Sequence, residues 1–140
     1  LRKLIERTGG KIKVVEDPSD QETDGGSLEI RGKNDYTVFL SPYTTPLRDN
    51  FTIAHELGHY VLHFFFASAQ PQTPIRFARY GSSPIEWQAN RFAAAILMPA
   101  DKFRDAYQKF NGNLSLLSGL FGVSLPAVEV RARSLGLIEE

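Results

Sequence analysis

His55, Glu56 and His59 fall within little more than one helical turn, in the run TIAHELGHYVLH at residues 52–63. On an α-helix, residues four apart differ by roughly 40° in direction and about 6 Å along the axis. Both imidazoles therefore project from one face and can reach a single ion. Glu56 lies roughly 100° further round from His55. It is poorly placed to join the same ligand set and well placed to touch a water on the ion. Two ligands and a general base from one turn are the mechanical content of H-E-x-x-H, and the chemistry they support is metal-assisted hydrolysis. The bland alternative is a helix with solvated or hydrogen-bonded histidines. Against it, two of the chain's three histidines sit in the motif, inside an amphipathic run with Phe51, Ala54, Leu57 and Val61 at core spacing.

Two neighbours need separate readings. Gly58 weakens a helix by roughly 0.5–1 kcal/mol relative to Ala, so something is expected to pass close to the backbone there. His63 lies roughly 12 Å along the axis from His55 and about 80° round. Imidazoles so placed cannot share one tetrahedral zinc. The longer pattern H-E-x-x-H-x-x-G-x-x-H is not met either. His63 reads as structural, with a role behind a ligand or facing substrate as the alternatives.

A third ligand must come from elsewhere. The chain has no cysteine, which excludes disulfides and thiolate ligands and leaves a carboxylate. A set of two His and one Glu leaves one zinc position for water. The run SPIEWQANRFAAAILMP at residues 83–99 supplies Glu86. Asn90, one turn on, shares its face and is suited to hold a ligand histidine by its second nitrogen. Glu86 reads equally well as the third-position glutamate of a capping box that starts at Ser83 and Pro84. Asp101 and Asp105 are the next choices.

The elements around these residues are legible from local signals. Residues 1–8 read as a helix end stopped by Gly9 and Gly10, and 11–16 as a strand. The acidic run at 16–27 reads as a solvated loop. SLEIRG (27–32) and YTVFLS (36–41) form a hairpin pattern, with Leu28 and Ile30 on one face. Thr45 and Pro46 make a cap and first position for the histidine helix. Residues 66–83 read as a long connection with a short strand near IRFARY. Helices follow from Ser83 to about Leu97, from Pro99 to near Gly112, at 114–121 and at 125–135. The expected class is α+β, one domain over 1–140. Residues 1–45 are mainly sheet, 46–98 carry the active-site helices, and 99–140 form a helical cap.

Composition narrows the function further. Sixteen basic and sixteen acidic side chains cancel, so nothing electrostatic points to nucleic acid or an anionic membrane. No stretch is long enough to span a bilayer and LRKLIERTGG has no apolar leader core, which makes the cytoplasm the expected location. The first residue is Leu1, as in a trimmed chain.

FTIAHELGHYVLH followed by EWQANRFAAAILMP resembles the ImmA/IrrE family of bacterial and phage zinc metallopeptidases. The family pattern is an H-E-L-G-H helix and a second helix reading E-x-x-A-N-x-F-A-A-x-L-L-M-P, with Ile96 here where leucine is usual. LFGVSLPAVEVRARSLGLI (120–138) is similar to the family's C-terminal segment, so the likeness runs from about residue 36 to the end. It implies one zinc per chain held by His55, His59 and Glu86, with Glu56 as general base. It also implies a helix-turn-helix transcriptional repressor as the protein substrate, whose inactivation induces mobile-element or stress genes. Tyr60, His63, Arg79 and Tyr80 are candidates for substrate or transition-state contacts. The strand at 36–41 is a candidate to bind an extended substrate edge to edge.

Two other functions compete with hydrolysis. One is an antirepressor that sequesters without cutting and uses zinc structurally. The other is DNA binding by residues 114–136, two short helices with a glycine between. Residues 113–140 carry Arg131 and Arg133 against Glu129, Glu139 and Glu140, a net charge of −1, whereas a DNA-reading head should be basic.

Overall fold

The computed structural model describes residues 1–15, 26–67, 72–78 and 83–139. Arg79, Tyr80 and most of the acidic run expected as a loop lie outside them. The architecture is α+β, and the chain forms two compact units, Leu1–Ala93 and Ala94–Glu140.

The first unit begins with helix α1 (Arg2–Arg7) and strand β1 (Gly10–Val14). Strands β2 (Ser27–Gly32) and β3 (Asp35–Leu40) form the expected antiparallel hairpin. Asn34 takes the left-handed conformation in its turn, φ 60°, which asparagine tolerates better than most residues. Strand β4 (Ile75–Ala78) falls in IRFARY and pairs antiparallel with β2. The sheet order is β1-β3-β2-β4, with β1 and β3 parallel.

That order corrects one expectation. β3, the strand at 36–41, lies between β1 and β2, so both its edges are already hydrogen-bonded. It cannot accept a further strand. Among the described residues the outer strands are β1 and β4. The local pattern of residues 36–41 marks a strand but carries no information about its neighbours.

Helix α2 (Pro46–Tyr60) starts as its sequence requires. The Thr45 hydroxyl accepts the Arg48 amide, and Pro46 takes the first turn, where no partner for its nitrogen is needed. Its inward residues Ile53, Ala54 and Leu57 are buried, as are Leu28 and Ile30 of β2 and Tyr36, Val38 and Leu40 of β3. At roughly 1.5–3 kcal/mol for each large apolar side chain, this layer holds the helix to the sheet. The helix then widens into a π-type turn, Val61–Phe65, and the Phe66 amide reaches back five residues to the Val61 carbonyl at 3.0 Å. Helix α3 (Pro84–Leu97) starts at Ser83, whose hydroxyl accepts the Glu86 amide at 3.4 Å.

The second unit is helical: α4 (Ala100–Lys109), α5 (Leu114–Phe121) and α6 (Leu125–Ser134). Met98, Phe103, Leu117, Val123, Val128 and Ala132 form its core. Asn113 and Ser124 cap α5 and α6, and Gly122, at φ 67°, ends α5. α5 and α6 meet at 104°. No single helix among the described residues is long and apolar enough to cross a membrane.

Candidate metal centre

Helices α2 and α3 meet at a glycine. A Cβ on Gly58 would lie 3.1–3.2 Å from the Cδ1, Cβ and Cγ atoms of Phe92. The close approach expected from the sequence is therefore the Phe92 side chain of α3. The contact lets α3 present Glu86 and Asn90 to the histidine face of α2.

There the side chains converge. His55 Nε2 lies 2.9 Å from Glu86 Oε2, and His59 Nε2 lies 3.0 Å from Glu86 Oε1. Glu56 Oε1 is 3.6 Å from His55 Nε2. His55, Glu56 and His59 offer ligand atoms within 4.8 Å of one another. All four residues are buried, the most exposed being Glu86 at 7%. The capping and site readings of Glu86 are compatible, because its amide caps the helix while its carboxylate reaches the imidazoles.

Each imidazole is held from behind. His55 Nδ1 donates to Asn90 Oδ1 at 2.7 Å, the arrangement that turns the Nε2 lone pair toward Glu86. His59 Nδ1 lies 2.9 Å from His63 Nδ1, and His63 Nε2 lies 2.8 Å from Gln88 Oε1. The His59 ring also stacks on Phe77 of β4, with centroids 4.7 Å apart and planes 12° from parallel.

The residues present fit a cation. His59 Nε2 is buried and makes no hydrogen bond, although Glu86 Oε1 is 3.0 Å away. Such an atom is costly to bury unless something binds it. Two ligands at bond lengths of about 2 Å in a tetrahedral site sit roughly 3.3 Å apart, close to the observed nitrogen–oxygen separations. The His59 pKa is lowered to about 3, first by burial and then by the charges His55 and His63 would carry. His59 is thus neutral at neutral pH, the form that coordinates metals.

The other sequence candidates separate. His63 is drawn in behind His59, since the wider π-type turn gives fewer degrees per residue and brings position 63 back over position 59. Tyr60 is not at the site. It is buried, stacks on Tyr36 with centroids 4.0 Å apart, and its hydroxyl accepts the Asn34 amide at the β2–β3 turn. Tyr60 follows His59 by one residue and so turns about 100° from it, and the stack on Tyr36 that holds it there is a tertiary contact that spacing does not give. Asp101 and Asp105 lie on α4, within the second unit. Gln88 and Phe77 were missed. Alternation within β4 hints at Phe77, but nothing local singles out Gln88.

Two buried imidazoles facing a carboxylate, with a second glutamate beside them, define a metallopeptidase-type site on an α+β frame. The chain matches the family described as Peptidase_M78, the IrrE N-terminal-like domain, over residues 10–133, and it belongs to that family. Searches of curated proteins and of solved structures returned no significant match.

Proposed function

We propose that the chain is a zinc-dependent endopeptidase. The observation that carries this reading is the pair of contacts from one carboxylate, Glu86, to Nε2 of both His55 and His59, with Glu56 alongside. His55, His59 and Glu86 would hold the ion, and the donor set of two His and one Glu with no cysteine suits zinc. When bound, the ion supplies an acidified water and a polarised carbonyl. Glu56 takes the proton of the attacking water and hands it to the leaving amine. Asn90 keeps His55 in the tautomer that faces the site.

The edge of β4 is the surface we assign to an extended substrate, since Phe77 of that strand touches His59. The substrate we favour is a helix-turn-helix repressor. Its support is the paired-motif resemblance and the family membership. DNA binding by the chain itself is disfavoured. α5 and α6 cross at an angle common in helix-turn-helix pairs, but their cations are engaged. Arg131 Nε donates to the Met98 carbonyl at 3.0 Å and Arg133 pairs with Glu129 at 2.6 Å.

Two measurements test the reading. Elemental analysis should find one zinc per chain. Glu56→Gln should keep that zinc and lose at least about 100-fold in peptide-bond cleavage, read by mass spectrometry of a denatured-protein or peptide-library digest. Cleavage at the parental rate would remove Glu56 as the base. Cleavage that survives chelation would remove the metal.

A further inference from the structure

We propose that His63 and Gln88 are positioning residues that set the metal affinity of the site through His59. The inference rests on the metal reading above and concerns residues to which that reading gives no part. The chain Gln88 Oε1, His63 Nε2, His63 Nδ1, His59 Nδ1 has links of 2.8 and 2.9 Å. Protons can be arranged along it in two ways. In one, His59 Nδ1–H donates to His63 Nδ1, and His63 Nε2–H donates to the Gln88 carbonyl oxygen. His59 Nε2 is then a bare lone pair, ready to bind a cation.

In the other arrangement Gln88 presents its amide, every link reverses, and the proton arrives on His59 Nε2. That proton would lie between Nε2 and the Glu86 carboxylate, whose Oε1 is 3.0 Å away, and a cation would have to displace it before binding. With its carbonyl oxygen 2.8 Å from His63 Nε2, Gln88 can only accept, which supports the first arrangement and not the second. A carbonyl oxygen at position 88 therefore acts two hydrogen bonds away, by selecting the His59 tautomer and fixing its ring. The roles are parallel on the two ligands. Asn90 supports His55 directly, and Gln88, two residues earlier on α3, supports His59 through His63.

Position 88 suits a clean test. Its side chain is exposed and borders an open groove of about 580 Å³ lined by Leu62, Trp87, Arg91 and Phe92, so its replacement disturbs no core. The probe is zinc, competed against a chromophoric chelator on the full chain. Gln88→Leu and His63→Phe should each weaken zinc binding by about 10–100-fold. Gln88→Glu keeps an acceptor and should hold the parental affinity or improve it. Circular dichroism of the metal-free variants should superimpose on the parent. If His63→Phe fails to fold, the Gln88 pair decides the matter.

Equal zinc affinity in folded Gln88→Leu and the parent overturns the proposal and leaves the metal centre standing. A loss in Gln88→Leu that Gln88→Glu shares also overturns it, because bulk and not the acceptor would then be responsible. A parent chain that binds no zinc overturns the metal reading, and this inference with it.

Discussion

Burial does at His59 what coordination chemistry needs. Its pKa is lowered to about 3, chiefly because charging it would strand a cation in a dry interior. The unfolded histidine, near 6.5, binds a proton more readily than the folded one. Folding stability from this group is therefore complete above pH 6.5 and is lost as pH falls toward 3. For the metal-free chain the slope expected is about 1.4 kcal/mol per pH unit inside that window. Chemical denaturation at pH 7.5, 5.5 and 4.5 in a chelator measures it. A metal-free chain equally stable at all three values would show that His59 charges freely in the fold. Residue identity in the motif was readable at once, since His55, Glu56 and His59 are tied by helix geometry. Tyr60 shows the limit. Its type suits transition-state contact, yet its stacking on Tyr36 depends on a strand that local sequence does not place beside it.

At the level of the element, the approach of α3 to α2 decides whether Glu86 reaches the imidazoles. Gly58 permits it, with Phe92 atoms 3.1–3.2 Å from where a Cβ would stand. Gly58→Ala gains up to about 1 kcal/mol in helix propensity and incurs roughly 1–3 kcal/mol of overpacking. The net expectation is a lower unfolding midpoint. Zinc affinity should also fall, because the Phe92 Cβ, 3.2 Å from the added methyl, moves with the α3 backbone that carries Glu86. Trp87 is the chain's single tryptophan and adjoins Glu86, so its fluorescence can follow the zinc titration. Unchanged affinity in a stable Gly58→Ala would show that Phe92 gives way without moving α3. The helix starts at Thr45 and Ser83 were legible because caps are local, each residue standing just before its helix. The π-type turn at Val61–Phe65 was not, since residues 61–65 carry no breaker and a helix of either width satisfies the same sequence.

For the molecule as a whole, the site stitches together segments that are far apart in sequence. His55 and Glu86 are both in the unit Leu1–Ala93, on helices separated by β4 and its flanking connections. An ion shared by α2 and α3 would be bound by the folded chain and not by the unfolded one. Zinc at 100 times its dissociation constant should add about 2.7 kcal/mol to stability. Chelation should lower the thermal midpoint correspondingly, and added zinc should restore it. A midpoint indifferent to chelator would mean that no ion bridges the two helices.

The amino-acid order alone determined the short-range facts: an α+β class, the capped helices, the hairpin with Leu28 and Ile30 inward, and the imidazole pair with its neighbouring glutamate. Each follows from spacing within a turn or a strand, where backbone geometry leaves one answer. Only tertiary structure decided that Glu86 meets both rings, that β3 is interior and β4 an edge among the described residues, and that Gln88 reaches His63. Those arrangements join residues about 25 to 35 positions apart, or strands whose partners no local pattern names. Packing, not periodicity, chooses among them.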